Sequence, residues 1–456
     1  MASTAEASSI SATRAVLVES SLLRQLTVFL FYFCQGIPLG LFYLAIPAYM
    51  AGAGAAPGDI AAVIGMTSLP WSLKLVNGFI MDRYTYLPMG RRRIWIIGAQ
   101  AVMIGGMLTG AALAPGGTDV FLLSALAFVI SAATTFQDVA IDGLVVDIMT
   151  DEEQARSGGI MFGAQALGMA ASTAVNGWVI QNSGIASAYL LSAAVLATVT
   201  TYVIVVRERR GEKRLPWSAG VASPRNLDIQ VAAWWPLLRQ SFKAILGLSS
   251  LMIVPYLLMR ALPAGANEVY YPILTSTVTG WSTSNYTNVN SAAQLASAIF
   301  GLVVGGWIIG KIGPQRSVGL ILPLFVVLLL VIGLSPGEWS QSSFMTSVIW
   351  INEFLGILLA IALIPIAMQL CSPSVAATQF TIYMALANFG RPLGAWIAAK
   401  TTGGDSPQMM FFVIAGIFAL GAAFIWFIRL PPRSRAEEDR VEHDVAHGAG
   451  VAPVEN

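Results

Sequence analysis

Residues 71–93 read Trp-Ser-Leu-Lys-Leu-Val-Asn-Gly-Phe-Ile-Met-Asp-Arg-Tyr-Thr-Tyr-Leu-Pro-Met-Gly-Arg-Arg-Arg. An apolar run that starts near residue 58 ends here in Gly78-x3-Asp82-Arg83, and Gly90-Arg91-Arg92-Arg93 leads into a second apolar run at residue 94. Basic residues between two apolar segments mark a turn at a bilayer face, on the side where Lys and Arg accumulate. The composition agrees. Mean hydropathy is +0.71, 56% of residues are hydrophobic and 11% are charged, whereas a soluble domain carries about 25% charged residues.

Working outward, segments of roughly 20 apolar residues fall near 26–51, 58–81, 94–113, 120–148, 158–181, 185–206, 243–276, 284–310, 316–335, 342–371, 376–400 and 407–429. The expectation is an all-α membrane protein of twelve transmembrane helices in two six-helix bundles. With a cytoplasmic N-terminus, 21 of the 25 basic residues lie in cytoplasmic segments, eight of them between spans 6 and 7. Only Lys400 borders an external loop, so both termini are expected in the cytoplasm. The organisation expected is a tail at 1–22 with no cleavable leader, a bundle at 23–206, a linker at 207–242, a bundle at 243–430 and a disordered tail at 431–456. Within the linker, Asn226 to Lys243 combines Trp234, Trp235, Leu237 and Leu238 with Arg239 and Lys243. That pattern fits a short amphipathic helix on the inner membrane surface.

Composition also excludes whole classes of function. Dispersed basic residues offer no continuous face for nucleic acid. His443 and His447 both lie in the C-terminal tail, which leaves no His relay, His-ligated metal or Ser-His-Asp set for the spans. Cys34 and Cys371 sit in apolar segments and lack metal or redox spacing. No cofactor, no metal and no enzymatic activity are expected.

Seven ionisable side chains nevertheless lie inside the spans: Lys74, Asp138, Asp142, Arg260, Glu268, Glu353 and Arg391. Each unrelieved charge costs about 2.5–3.5 kcal/mol at a helix centre. They must pair, face water or bind something. Asp138 and Asp142 stand four apart, on one face of span 4. Two buried carboxylates at that spacing repel, and one proton held there relieves both repulsion and desolvation. Lys74 on span 2 is their natural counter-ion. Two roles fit this cluster: a structural ion-pair brace, or a carboxylate that exchanges a proton while Lys74 alternates between it and an anionic solute. On the other half, Glu353 and Arg391 could meet, and Arg260 and Glu268 share span 7. Pro38 and Pro47 interrupt span 1, and Pro255, Pro263, Gly265 and Pro272 interrupt span 7, either as kinks or as breaks lining a site. Tyr32, Phe42, Tyr43, Tyr270, Tyr271 and Tyr383 are available for stacking or for packing.

The turn at Gly78-x3-Asp82-Arg83 and Gly90-Arg91-Arg92-Arg93 resembles the signature of the major facilitator superfamily, with six extra residues from Tyr84 to Met89. Gly306-x3-Gly310-Lys311-Ile312-Gly313 keeps the glycines of a second copy without the acid. The resemblance implies two bundles rocking about a central site lined by spans 1, 4, 7 and 10, with Asp82, Arg83, Arg91 and Arg92 in conformational gating. Five of the seven buried charges fall on spans 4, 7 and 10. Small-residue pairs, Gly159-x3-Gly163 and Gly301-x3-Gly305, are candidates for close approach at the bundle interface.

More narrowly, Gln35-Gly36-Ile37-Pro38-Leu39-Gly40, Ser72-Leu73-Lys74-Leu75 and Gln137-Asp138-x3-Asp142 resemble the AmpG muropeptide permeases and the related acetyl-CoA transporters. So do Asn352-Glu353, Leu370-Cys371, Ala377-Thr378-Gln379-Phe380 and Gly390-Arg391. Span 7 departs from them: Arg260 takes a basic position, without the nearby Gly-Asp. The resemblance implies proton-driven import of N-acetylglucosaminyl-anhydro-N-acetylmuramyl peptides by a monomer in a bacterial inner membrane. Asp138, Asp142, Lys74 and Glu353 would serve proton coupling. Gln35, Lys74, Gln137, Arg260, Glu268, Glu353, Asn388 and Arg391 would serve substrate binding. The alternatives are another anionic solute on the same scaffold, such as acetyl-CoA or a siderophore, and a non-transporting membrane receptor or scaffold.

Overall fold

A computed structural model describes residues 15–227, 239, 246–370, 376–402 and 407–427. Among these residues the helices form twelve successive rods. The first six are α1 (Ser21–Gly52), α2 (Pro57–Leu73 continued by Leu75–Arg83), α3 (Arg93–Leu113), α4 (Val120–Ile148), α5 (Asp151–Ser183) and α6 (Ile185–Val205). The second six are α7 (Leu248–Leu274, extended by a wide turn, Thr275–Thr279), α8 (Thr283–Ile312), α9 (Pro314–Leu334), α10 (Ser342–Gln369), α11 (Ala376–Asn388 continued by Gly390–Thr401) and α12 (Met409–Phe427). Eight rods are each long and apolar enough to cross a bilayer. The remaining four, α2, α5, α7 and α11, are broken or carry polar residues.

The rods follow the apolar segments of the sequence closely, with α5 the main exception. It begins at Asp151 rather than 158 because Thr150 caps it: Thr150 Oγ1 accepts from the Glu153 amide, and the Glu153 carboxylate accepts from the Thr150 amide. Hydropathy misses this first turn because Asp151, Glu152, Glu153 and Arg156 are charged. The expected helix at Asn226 to Lys243 lies almost wholly outside the described residues, as do 1–14 and the tail.

Packing in the two halves corresponds rod for rod. α1 lies on α5 as α7 lies on α11, α3 on α6 as α9 on α12, and α2 on α4 as α8 on α10. Across the halves, α5 meets α8 and α2 meets α11, again counterparts. The α7–α11 contact is backbone against backbone: a Cβ on Gly265 would stand 1.9 Å from the Arg391 carbonyl oxygen, and one on Gly390 2.0 Å from that of Leu258. Gly265→Ala therefore has to push α11 aside, a cost of roughly 1–3 kcal/mol or more. A clear loss of thermal stability in detergent is the expected outcome.

The expected small-residue interface pairs sit elsewhere. Gly301 and Gly305 face Ile357 and Ile361 of α10, within one bundle, and a Cβ on Gly163 would meet nothing within 4 Å. The close glycine between the bundles is Gly177, whose Cβ would overlap Thr287 of α8. Nearby, the Ser284 amide donates to Gln181 Oε1 at 2.9 Å. Likewise Pro57–Leu73 of α2 lies along Gly390–Thr401 of α11, whereas Leu75–Arg83 and Ala376–Asn388 scarcely touch. The bundles thus close at one end. They part toward the end that carries the α2–α3 and α6–α7 connections.

At that open end the start of the linker is docked on the first bundle. Arg207 pairs with the segment before α1 through Leu17 N–H to Arg207 O at 2.8 Å and Arg207 N–H to Ala15 O at 2.9 Å. The Glu208 carboxylate accepts from the amides of Arg91, Arg92 and Arg93 at 2.8, 2.7 and 2.5 Å, and so caps α3. Gly90, at φ +98°, is required here: a Cβ would lie 2.5 Å from the Glu208 carboxyl carbon. The Arg93 side chain donates to the carbonyls of Met89, Val203, Ile204, Lys213 and Arg214.

Glu212 accepts from Arg209 N–H at 2.9 Å and Asn226 Nδ2 at 3.1 Å. Burial first, then the Glu208 carboxylate, pushes its carboxyl up to about 7. A folded-state value raised above the unfolded one means that the folded chain holds this proton more tightly. Its contribution to stability is therefore full below about 4.5 and is lost as pH rises through about 7. Amide exchange in residues 206–227 is expected to be slower at pH 5 than at pH 8, after correction for intrinsic rates. Glu212→Gln should flatten that dependence.

Candidate functional site

Two helix breaks face each other across the bundle interface. α2 breaks at Lys74, four residues after Pro70, and α11 breaks at Phe389. The second break has a direct cause, since Pro392 has no N–H to offer the Asn388 carbonyl. Asn388 Nδ2 then donates to the Trp71 carbonyl at 3.1 Å and so links the two bundles.

On the first bundle, the break presents Lys74 to α4. Lys74 Nζ donates to Asp138 Oδ2 at 2.9 Å, and Gln35 Nε2 of α1 donates to Asp138 Oδ1 at 2.6 Å. Asp138 is 5% exposed and Lys74 19%, so this pair is buried on one side and reachable on the other. Asp142 takes a different partner, the Tyr32 hydroxyl of α1. The two carboxylates of α4 are thereby held by separate donors. Gln137 points away from this group: its amide donates to the Phe31 carbonyl at 2.9 Å and accepts from Gln100 Nε2 at 2.6 Å. It is occupied inside the bundle.

On the second bundle, Arg391 of α11 pairs with Glu268 of α7. The sequence allows Arg391 to meet Glu353; the ion pair formed is with Glu268. One helix break aims Arg391 at α7, with its guanidinium also 4.0 Å from the centroid of the Tyr43 ring of α1. Glu353 of α10 instead lines a small cavity with Asn267, Glu268 and Tyr271 of α7 and Asn290 and Gln294 of α8. These uncharged amides escape a search for charges. Their signal is weak: Asn290 and Gln294 stand four apart, on one face of α8, but in its polar first half among Asn285, Thr287, Asn288 and Ser291.

Arg260 is the isolated member. It sits on α7 within electrostatic range of both Lys74 and Arg391. No hydrogen bond or ion pair engages it among the described residues. Three cations from both bundles therefore converge on the interface, and two of them are neutralised by a carboxylate.

The four turn residues divide. Arg92 Nε pairs with Asp147 Oδ2 of α4 at 2.8 Å, and the Arg91 amide is held by Glu208. Arg83 is exposed, and the Asp82 side chain lies outside the described residues.

A profile of the Major Facilitator Superfamily matches residues 28–395. The chain belongs to this superfamily. It is therefore a multi-pass membrane transporter of small solutes and not an enzyme. Among curated superfamily relatives, it is 25% identical over 407 residues to the anhydromuropeptide permease of Escherichia coli (strain K12), covering 84% of this chain and 76% of that one. A folate-biopterin transporter of Synechocystis sp. is 33% identical over 148 residues, 31% of this chain and 29% of that one. The superfamily fold matches the nucleoside transporter NupG at a TM-score of 0.67 with 13% identity, covering 89% and 98% of the two chains. It also matches a peptide transporter POT in complex with alafosfalin at 0.66 with 14% identity, covering 89% and 93%.

Proposed function

We propose that the protein imports anionic cell-wall turnover products, N-acetylglucosaminyl-anhydro-N-acetylmuramic acid and its peptides, in symport with protons. The observation that carries this is Arg260, a guanidinium without a partner among the described residues and within electrostatic range of Lys74 and Arg391 where the bundles meet. A solute carboxylate placed there relieves the repulsion among three cations and gains charge-assisted hydrogen bonds. The likeness to the anhydromuropeptide permease over 84% of this chain supports this class of solute. Gln35 and Asn388 have their amide nitrogens engaged by Asp138 and the Trp71 carbonyl, and on this reading their amide oxygens would accept from sugar hydroxyls. Asp138 with Lys74, and Asp142 with Tyr32, form the proton-exchanging group. Glu353 is the second bundle's acid. Arg92 with Asp147, and Arg83 and Arg91 at the same turn, act in gating. The setting is an inner membrane with both termini in the cytoplasm, and the bundles, parted at that face, are open inward.

The test is uptake into proteoliposomes under an inward proton gradient, with labelled anhydromuropeptide, acetyl-CoA and a ferric siderophore in parallel. Accumulation of the muropeptide that collapses with a protonophore is the expected result. Accumulation of either other solute in its place overturns the assignment.

A further inference from the structure

The cavity between α7, α8 and α10 contains polar atoms that the solute site does not use. Among the described residues, Asn267 Oδ1, Glu268 Oε2, Tyr271 Oη, Gln294 Oε1 and Asn290 Nδ2 are all buried without a hydrogen-bond partner, and all five residues line this one cavity. Asn267, Glu268, Tyr271 and Asn290 are only 6, 6, 2 and 4% exposed. Buried polar atoms are ordinarily satisfied, so a group of five converging on one space calls for an occupant. Four of the five are oxygens, and one is a carboxylate oxygen. Glu353 adds a second carboxylate, while Arg391 is the cation paired with Glu268. With both acids ionised, the group carries one negative charge more than positive.

We propose that this chamber binds one sodium ion. An oxygen-rich set with a single excess negative charge suits a hard monovalent cation. A calcium or magnesium ion would leave uncompensated positive charge beside Arg391. Among the described residues that line it, the chamber has no sulfur or imidazole for softer metals. Its size, enough for a body like a water molecule, excludes an organic cation. Asn267 and Tyr271 present from one face of α7, and Asn290 and Gln294 from one face of α8. Among the lining residues Leu44, in the wide turn Leu41–Ala45 of α1, is the one contributed by the first bundle. Sodium in the chamber is therefore sealed by contact between the bundles, and their parting at this level opens it. This gives the second bundle a cation of its own, separate from the proton group on α4.

The proposal is independent of the solute, and its test uses none. The purified full chain in nanodiscs is melted in NaCl, KCl or choline chloride at equal ionic strength, and binding of radioactive sodium is measured directly. A saturable rise in Tm of about 3 °C or more in sodium alone is expected. Tyr271→Phe and Gln294→Leu remove one unpartnered oxygen each. Both variants should melt within about 2 °C of the parent in choline and lose at least about tenfold in sodium affinity. Equal melting in sodium and choline with no bound radioactive sodium overturns the proposal. So does a sodium response identical in the parent and both variants. Stabilisation that appears on acidification in choline, and not on adding sodium, assigns the chamber to a proton and equally overturns it.

Discussion

Asp138→Asn is expected to abolish uphill accumulation of solute while leaving exchange down a gradient in place. The asparagine keeps the shape of the carboxylate and its bond from Gln35 Nε2, but it cannot take up or release a proton. Each pH unit of gradient is worth about tenfold in accumulation for each proton carried. A gradient of two units should therefore sustain about a hundredfold accumulation in the parent and none in the variant. Lys74 complicates the comparison, because it loses its partner at 2.9 Å. Breaking a buried pair from one side costs about 3–5 kcal/mol. Lys74→Met combined with Asp138→Asn should recover most of that stability without recovering accumulation. Thermal melts of the single and double variants separate the two effects. Full gradient-driven accumulation by Asp138→Asn would remove Asp138 from the proton path.

Arg260→Gln and Arg391→Gln should behave in opposite ways. Arg260 is without a partner among the described residues and sits near two other cations, so losing it relieves repulsion. Arg391 satisfies Glu268, and losing it strands a buried carboxylate at a cost of about 3–5 kcal/mol. Arg260→Gln is expected to melt at or above the parent temperature, yet bind anionic solute about 10- to 150-fold more weakly, the worth of a charged hydrogen bond. Arg391→Gln is expected to melt well below it. Calorimetry with the muropeptide and with a neutral sugar analogue tests the point, since only the anion should lose affinity. Unchanged anion binding by Arg260→Gln would place the solute elsewhere.

Hydropathy carries most of this architecture because the bilayer leaves a chain few options. Every spanning segment must satisfy its own backbone, and long apolar helices do so. The twelve rods could be found that way, as could Lys74 with Asp138, since an amine and a carboxylate at similar depth have few other partners. Partner choice on the second bundle is less determined by the sequence. Glu268 and Glu353 are both acids within reach of α11, and only the break at Phe389 decides which one Arg391 meets. Tyr32 illustrates another limit: a tyrosine in an apolar span packs more often than it donates, and nothing local marks it as the partner of Asp142. The amides of Asn267, Asn290 and Gln294 carry no charge, so the insertion cost that exposes a buried aspartate does not expose them. Wide turns such as Leu41–Ala45 depend on the helices packed around them.

The docking of Arg207, Glu208 and Glu212 onto the first bundle shortens the tether between the halves. Residues 206–227 travel with that bundle, which leaves about 20 residues, 228–247, to bridge to α7. Fully extended, such a length reaches roughly 65–70 Å, far beyond any separation that rocking requires. Even wound wholly as helix, about 20 residues span roughly 30 Å, so chain length alone sets no stop on the proposed rocking. On the proposed mechanism the limits of travel fall to the α2–α11 and α5–α8 seams, and severing the chain within 228–245 should leave two polypeptides that still assemble into a working carrier.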